Sequence, residues 1–295
     1  MNRSNVVTAS IPDTVPQKTE PSIGAILVQE GRLSIEDAER VLRVQREQGL
    51  QFGMAAIQLG VLTEADIDFA LSRQFNYPCL DKGQSDVSED LVAAYGPPGP
   101  QLEALRTLRT QLLLRCFTAT PDHNALAIVS GNRQEGRSIL AANLAIVFSQ
   151  LGENTLLIDA DMRHPRQHQL FGLENRNGLS AMLSGRSSRD AVKRIPGLNN
   201  LSVLVSGITP PNPLELLSRS AFSELLRDLG KDADVILIDT PASSDCADAQ
   251  TVAARAGSAL IVVRNNRARM RSVRNLAQGI ADAGAAIVGS VLNEF

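Results

Sequence analysis

The chain has 295 residues, 43% of them hydrophobic, with 29 Lys and Arg against 32 Asp and Glu for a formal net charge of −3. This apolar content supplies a substantial core for one large domain with a small companion, and the near balance of charge, without a long basic run, argues against a nucleic-acid partner. Three widely spaced cysteines, Cys79, Cys116 and Cys246, form neither a disulfide framework nor a metal site, and no apolar stretch approaches the roughly 18 residues of a membrane span.

Residues 1–21, MNRSNVVTASIPDTVPQKTEP, hold no continuous apolar run and read as a disordered polar leader. A tandem repeat follows: SIGAILVQEGRLSIEDAERVLRVQ over 22–45 and QFGMAAIQLGVLTEADIDFALSRQ over 51–74. At an offset of 29 residues Gly24 meets Gly53, Gly31 meets Gly60, Leu42 meets Leu71 and Gln45 meets Gln74. Such a period indicates stacked supersecondary units. Each reads as a short helix, a glycine turn and a second helix opened by a capping box, Ser34 with Asp37 and Thr63 with Asp66. A short helix and the Gly/Pro-rich YGPPGP over 95–100 then read as a linker. The expected division is a small all-α repeat domain over 22–95 and a larger domain over 96–295, which opens on the amphipathic helix QLEALRTLRTQLLLRC.

From residue 125 short apolar strands alternate with helices. ALAIVS, TLLIDA, LSVLVSG, DVILIDT, SALIVVR and AIVGSVLN are near-continuous apolar runs, which predicts a mostly parallel sheet covered on both faces. The fold class expected is α/β, doubly wound, with ligand at the carboxyl edge of the strands.

Three segments at strand ends carry chemistry. SGNRQEGRS (130–138) sits between a strand and a helix, with Gly131, Gly136 and Ser138 spaced as in a phosphate-binding loop. Its backbone N–H groups and the helix N-terminus suit an anion. The expected nucleotide contacts are Gly131, Asn132, Arg133, Gln134, Glu135, Gly136, Arg137, Ser138 and Ile139. LLIDADMRHP ends a strand on Asp159 and carries Asp161 two residues on, a pair suited to Mg²⁺ coordination or to activation of a hydroxyl. DVILIDTPA ends on Asp239, in the manner of the second acidic motif of such proteins, where the carboxylate holds Mg²⁺. Ser138 and Asp161 are the other candidate metal ligands. Read singly, Ser138 is also a helix N-cap and the two aspartates are also turn formers; three motifs in this order define a nucleoside-triphosphate site.

Together SGNRQEGRS, LLIDADMRHP and VILIDTPA resemble the cytoplasmic tyrosine kinases of bacterial exopolysaccharide assembly, specifically the chain-length-determinant kinases of EpsG type. GITPPNPLELL, from Gly207, resembles another signature of that family. The resemblance covers roughly residues 96–295. It implies ATP and Mg²⁺ as cofactors, with Arg137, Asp159 and Asp161 catalytic and Asn293 at the adenine. It also implies homo-oligomeric rings assembled through Glu103, Arg106 and Arg109, and docking on a separate, membrane-anchored chain-length determinant at the inner face of the cytoplasmic membrane. The repeat resembles the N-terminal domain of type II secretion and pilus ATPases, which implies cyclic di-GMP as a ligand; the arginine expected to open each motif is Ser22 and Gln51 here.

Three departures separate the chain from a standard member. Arg137 stands where the loop lysine is usual and brings a planar fork in place of a compact ammonium. Gln134 stands where the family usually has glycine; if that backbone keeps φ > 0, the side chain costs on the order of 1–2 kcal/mol. The tyrosines are Tyr77 and Tyr95, with none in GSVLNEF at 289–295, so the acceptor is expected on a partner. A non-kinase, ATP-dependent switch or scaffold fits the same residues.

Overall fold

The computed structural model describes residues 22–74, 79–95, 99–117 and 124–294. The expected leader, Tyr77 and residues 96–98 of the linker lie outside them. Contacts divide the chain into two compact units, Met1–Asn76 and Tyr77–Phe295.

The first unit consists of α1 (Ile23–Gln29), α2 (Ile35–Gln48), α3 (Phe52–Gln58) and α4 (Glu64–Gln74), two helix pairs that follow the repeat. Leu27, Val41, Ala55, Ala56 and Ala70 are fully buried and form its core. The repeat glycines serve this packing. Gly31 and Gly60 turn the chain at φ 72° and 67°, where L side chains are disfavoured. A Cβ on Gly24 would stand 3.0 Å from the Phe52 ring, and one on Gly53 would stand 3.2 Å from Ile67.

Both capping boxes form. The Asp37 N–H donates to Ser34 Oγ at 3.0 Å. In the second box the Thr63 N–H and hydroxyl donate to Asp66 Oδ2 at 3.0 and 2.6 Å. Asp66 also accepts from Arg32 at 3.2 Å, and Arg32 lies 3.9 Å over the Phe69 ring, which ties the first repeat's turn to the second repeat's helix. The Thr63 hydroxyl, more than Arg32, holds the Asp66 carboxyl below its ordinary range. A depressed folded pKa gives stability that is present above the unfolded pKa and lost as pH falls through the folded value. Asp66→Ala is therefore expected to cost about 1 kcal/mol at neutral pH, with the gap to wild type narrowing as pH falls below the ordinary carboxylate range. Thermal unfolding at neutral and at acid pH checks this; an equal gap at both contradicts it.

The second unit holds α5 (Val92–Tyr95), α6 (Pro100–Leu112), β1 (Ala125–Ser130), α7 (Arg137–Gln150), β2 (Thr155–Asp159), α8 (Gln167–Leu170) and α9 (Leu179–Leu183). There follow β3 (Lys193–Ile195), β4 (Leu198–Leu204), α10 (Pro213–Ser218), α11 (Ser220–Leu229), β5 (Val235–Asp239), α12 (Asp248–Ala256), β6 (Ser258–Arg264), α13 (Met270–Asp282) and β7 (Ala286–Asn293). The seven strands lie in the order β3-β4-β2-β5-β1-β6-β7, and only β3 is antiparallel to its neighbour. This is the expected doubly wound α/β fold.

Strands β1, β2 and β5 are buried along their whole length, because helices cover both faces. On one face α7 packs with Leu91 and Leu102; on the other lie Leu179, Phe222 and Leu276. Helix α7 is apolar nearly all round and correspondingly buried. Among the described residues no helix is long and apolar enough to cross a membrane.

The expected boundary at residue 95 shifts to about 76. Residues 79–95 pack on the sheet unit: the Ala93 N–H donates to Asn143 Oδ1 at 2.9 Å, the Ser88 N–H to the Leu170 carbonyl at 2.8 Å, and Val87, Leu91 and Ala93–Tyr95 join its core. A Gly/Pro cluster marks a break in secondary structure; the burial of the segment before it decides which core that segment joins.

Candidate nucleotide site

Strand β5 lies between β1 and β2, so the three motif-bearing strand ends are neighbours. Asp239 pairs in register with Asp159 on one side and with Ile128 on the other. The loop after β1 is pinned from the β5 side: the Ser243 and Ser244 N–H groups donate to the carbonyls of Ser130 and Gly131 at 3.0 Å each, and the Thr240 hydroxyl donates to the Ile128 carbonyl at 2.8 Å. Gly136, at φ 85°, turns the loop into α7. Inside the loop the buried Glu135 carboxylate accepts from the backbone N–H and side-chain amide of Asn132 at 3.1 and 3.0 Å.

Gln134 keeps the left-handed backbone, φ 60°. Two arginines from the end of β6 and the loop after it hold it there: Arg264 donates to its carbonyl at 3.1 Å and Arg267 to its side-chain oxygen at 3.0 Å. Gln134→Gly would relieve about 1–2 kcal/mol of strain, offset by unfolded-chain entropy of roughly 0.4–1 kcal/mol and by the lost Arg267 contact. We expect Gln134→Gly to unfold within about 1 kcal/mol of wild type and Gln134→Val to fall clearly below it, as a β-branched side chain is strained at this φ. Denaturant titration separates the two; equal midpoints would contradict the strained-turn reading.

The carboxylates have distinct settings. Asp159 is wholly buried, and its oxygens accept three backbone N–H groups: Asp161 at 3.1 Å, Arg166 at 3.1 Å and Gln167 at 3.0 Å. It shapes the loop over 160–167. Burial, reinforced by the charge of Asp239, pushes its pKa well above the ordinary range. Asp161 turns one oxygen to the N–H groups of Arg163 and His164 at 3.2 and 2.9 Å and the other toward Arg137. Asp239 is raised by burial, against the opposing pull of Arg137, the Ser138 hydroxyl and Gln167. Arg163, near the end of the second motif, forms a two-point ion pair with the buried Asp248 at the start of α12, at 2.9 and 3.4 Å.

Arg137 points inward. All three guanidinium nitrogens are engaged: Nε with Asp239 Oδ1 at 3.2 Å, Nη2 with Asp161 Oδ2 at 3.4 Å and Nη1 with Ser130 Oγ at 2.6 Å. Its side chain is 9% exposed. The hollow beside it, about 270 Å³, is lined by the loop with Arg133, Asp161, His164, Arg166 and Asp245.

Gln167 is a site residue that sequence reasoning missed. Its amide nitrogen donates to Asp239 Oδ2 at 2.8 Å and to the Ser138 carbonyl at 3.1 Å, while its amide oxygen is buried without a partner. A glutamine at the start of a four-residue helix carries no motif, and only the fold brings it to Asp239. The hydroxyl of Ser138, the Asp239 carboxylate and this orphaned oxygen fit a hydrated divalent cation. Among the described residues no cluster of three or more His, Cys, Asp or Glu has a metal-holding arrangement; Mg²⁺ here would take the rest of its octahedron from phosphate and water.

The remaining expected residues lie nearby or apart. Asn293, at the end of β7, donates to the Glu135 carbonyl at 3.0 Å and lines a groove with Leu105, Leu108 and Ile139. On α6, Glu103 pairs with Arg106 on the same helix, whereas Arg109 reaches into its own unit and donates to the Val147 carbonyl at 2.9 Å. In the first unit Ser22 and Gln51 are the residues that open α1 and α3; Ser22 caps with its hydroxyl and Gln51 makes no side-chain cap.

A loop from β1 into α7, with acidic residues ending β2 and β5 beside it, defines a P-loop nucleotide-binding protein. No family model matches the chain. It is 35% identical over 197 residues to the putative tyrosine-protein kinase CapB of Staphylococcus aureus, covering 65% of this chain and 84% of that protein. It is 34% identical over 205 residues to the tyrosine-protein kinase wzc of Salmonella typhimurium, covering 70% of this chain and 28% of wzc. The solved kinase domain of Escherichia coli tyrosine kinase ETK superposes with a TM-score of 0.66 at 30% identity, over 73% of this chain and 83% of that one. The chain belongs to the bacterial tyrosine-protein kinase family; it spans most of CapB but little more than a quarter of wzc.

Proposed function

We propose that the chain is an ATP·Mg²⁺-dependent tyrosine kinase acting in bacterial exopolysaccharide assembly. One observation carries this reading: Ser138 at the start of α7, Asp161 just after β2 and Asp239 at the end of β5 lie together beside the phosphate-binding loop. In this reading the N–H groups of 131–138 and the N-terminus of α7 hold the phosphates, and Arg137 supplies positive charge. Ser138 and Asp239 would hold Mg²⁺, with Gln167 fixing the Asp239 rotamer, and the ion would supply charge neutralisation at the phosphoryl group. Asp161 accepts the proton of the tyrosyl hydroxyl; Asp159 supports it by shaping the loop that carries it. Asn293 borders the adenine.

We propose that the acceptor lies on another polypeptide. Tyr95 is 8% exposed and its hydroxyl donates to the Val87 carbonyl, so it cannot meet Asp161 without unfolding. By family, that polypeptide is a membrane-anchored chain-length determinant, which would hold the kinase at the inner face of the cytoplasmic membrane. Homo-oligomers would form through Glu103, Arg106 and Arg109, of which Arg109 also donates from one nitrogen to the Val147 carbonyl of its own subunit. Family membership favours this reading over a nucleotide-dependent scaffold. The test is incubation with labelled ATP·Mg²⁺ and the partner's cytosolic segments, with phosphotyrosine and free phosphate scored separately. Phosphotyrosine on the partner is expected; phosphate release alone would overturn the kinase assignment.

A further inference from the structure

The geometry points to Arg137 as a tethered counter-cation: we propose that in the nucleotide-free protein its guanidinium occupies the metal-binding face of Asp239 and excludes a free divalent ion until nucleotide phosphate draws it away.

The argument starts from where the guanidinium lies. It is buried between carboxylates of two motifs, with Nε on Asp239 Oδ1 and Nη2 on Asp161 Oδ2. Both carboxylates therefore converge on the volume that the guanidinium fills. Asp239 Oδ2 already accepts from Gln167 and Oδ1 from Arg137, so a metal that takes Oδ1 would have to displace the guanidinium. A doubly charged ion at Oδ1 would stand within a few ångströms of the guanidinium in a largely dehydrated site, where like charges repel strongly. The two cations are thus alternatives at one oxygen.

Arginine suits this role better than lysine. Its planar fork engages two carboxylates and the Ser130 hydroxyl at once. An ammonium on a flexible stem releases its partners more readily. The exit lies next to the entry: Arg137 and Asp161 both line the hollow at the loop, where phosphate would bring competing negative charge. Phosphate binding and metal binding then become coupled events, each favouring the other by the same factor. The proposal rests on the reading of this loop as a nucleotide–metal site, and the experiment separates the two.

That experiment is a titration of the nucleotide-free full chain with Mn²⁺ alone, read by electron paramagnetic resonance. Wild type is expected to leave the free-ion signal intact into the millimolar range. Arg137→Met, which keeps length but not charge, is expected to capture one Mn²⁺ per chain with affinity higher by roughly tenfold or more, and its thermal midpoint should rise with Mn²⁺. Arg137→Lys, the variant to rely on if Arg137→Met is not folded by circular dichroism, should fall between. Adding ADP should restore Mn²⁺ capture by wild type. Capture of Mn²⁺ alone by wild type as tightly as by the variants overturns the proposal, as does a folded variant that captures no more than wild type. Enhanced capture by a variant, with no effect of ADP on wild type, keeps the counter-cation and sinks the nucleotide reading.

Discussion

Asp159→Ala is expected to lower the stability of the larger unit by about 3 kcal/mol. The substitution removes the acceptor of three N–H groups, those of Asp161, Arg166 and Gln167, beneath a fully buried side chain. Each buried donor left without a partner costs about 1–3 kcal/mol. Part of the loss is offset, because the carboxyl that disappears is raised well above its ordinary pKa by burial and by Asp239 and so carries a penalty when ionised near neutral pH. For a unit of this size the net corresponds to a fall of roughly 6–12 °C in unfolding midpoint. Asp159→Asn keeps one carbonyl oxygen and should lose about half as much. Differential scanning calorimetry of the nucleotide-free protein checks the series; an Asp159→Ala midpoint equal to wild type would show that the loop over 160–167 is held by other means.

Asp161→Asn should have the opposite profile. Asparagine retains an oxygen for the Arg163 and His164 N–H groups, so the loop keeps its shape. What disappears is the basic oxygen that faces Arg137 and that the proposed mechanism uses to take the tyrosyl proton. Phosphotransfer at saturating nucleotide is expected to fall by about 10²–10⁴-fold, while ADP·Mg²⁺ binding stays within several-fold of wild type. Single-turnover phosphotyrosine formation measures the first and calorimetry the second. A variant that transfers phosphate within a factor of about ten of wild type would remove Asp161 from the role of base. The two aspartates, two residues apart in sequence, would thus separate into one that builds the loop and one that acts from it.

The parts of this site legible in the sequence are those in which chemistry sits where a regular element ends. Asp159 and Asp239 close apolar runs, and the glycines of the loop sit between a strand and a helix, so strand ends and site could be placed before any coordinates. Gln134 was legible in conditional form: a glycine position filled by glutamine implies strain if the turn is kept, and φ is 60°. Four features were not legible. The inward turn of Arg137 depends on two carboxylates from distant segments meeting it. Gln167 reaches Asp239 from the first residue of α8, a helix of four residues that is too short to show a period. Arg109 shares a helical spacing with Arg106, but helical spacing does not show the bond that one of its nitrogens makes to the Val147 carbonyl. The three residues of β3 are likewise too few to show a period, and their pairing comes from the antiparallel register with β4.

The central claim is that a phosphate-binding loop carrying arginine in place of lysine remains a working nucleotide site. Its most direct test is a calorimetric titration of the full chain with ADP·Mg²⁺, beside Asp239→Asn. Wild type is expected to give a saturable isotherm with one nucleotide per chain and a raised unfolding midpoint, and Asp239→Asn to lose most of the Mg²⁺-dependent part of that affinity. No heat and no thermal shift in wild type at millimolar nucleotide would contradict it.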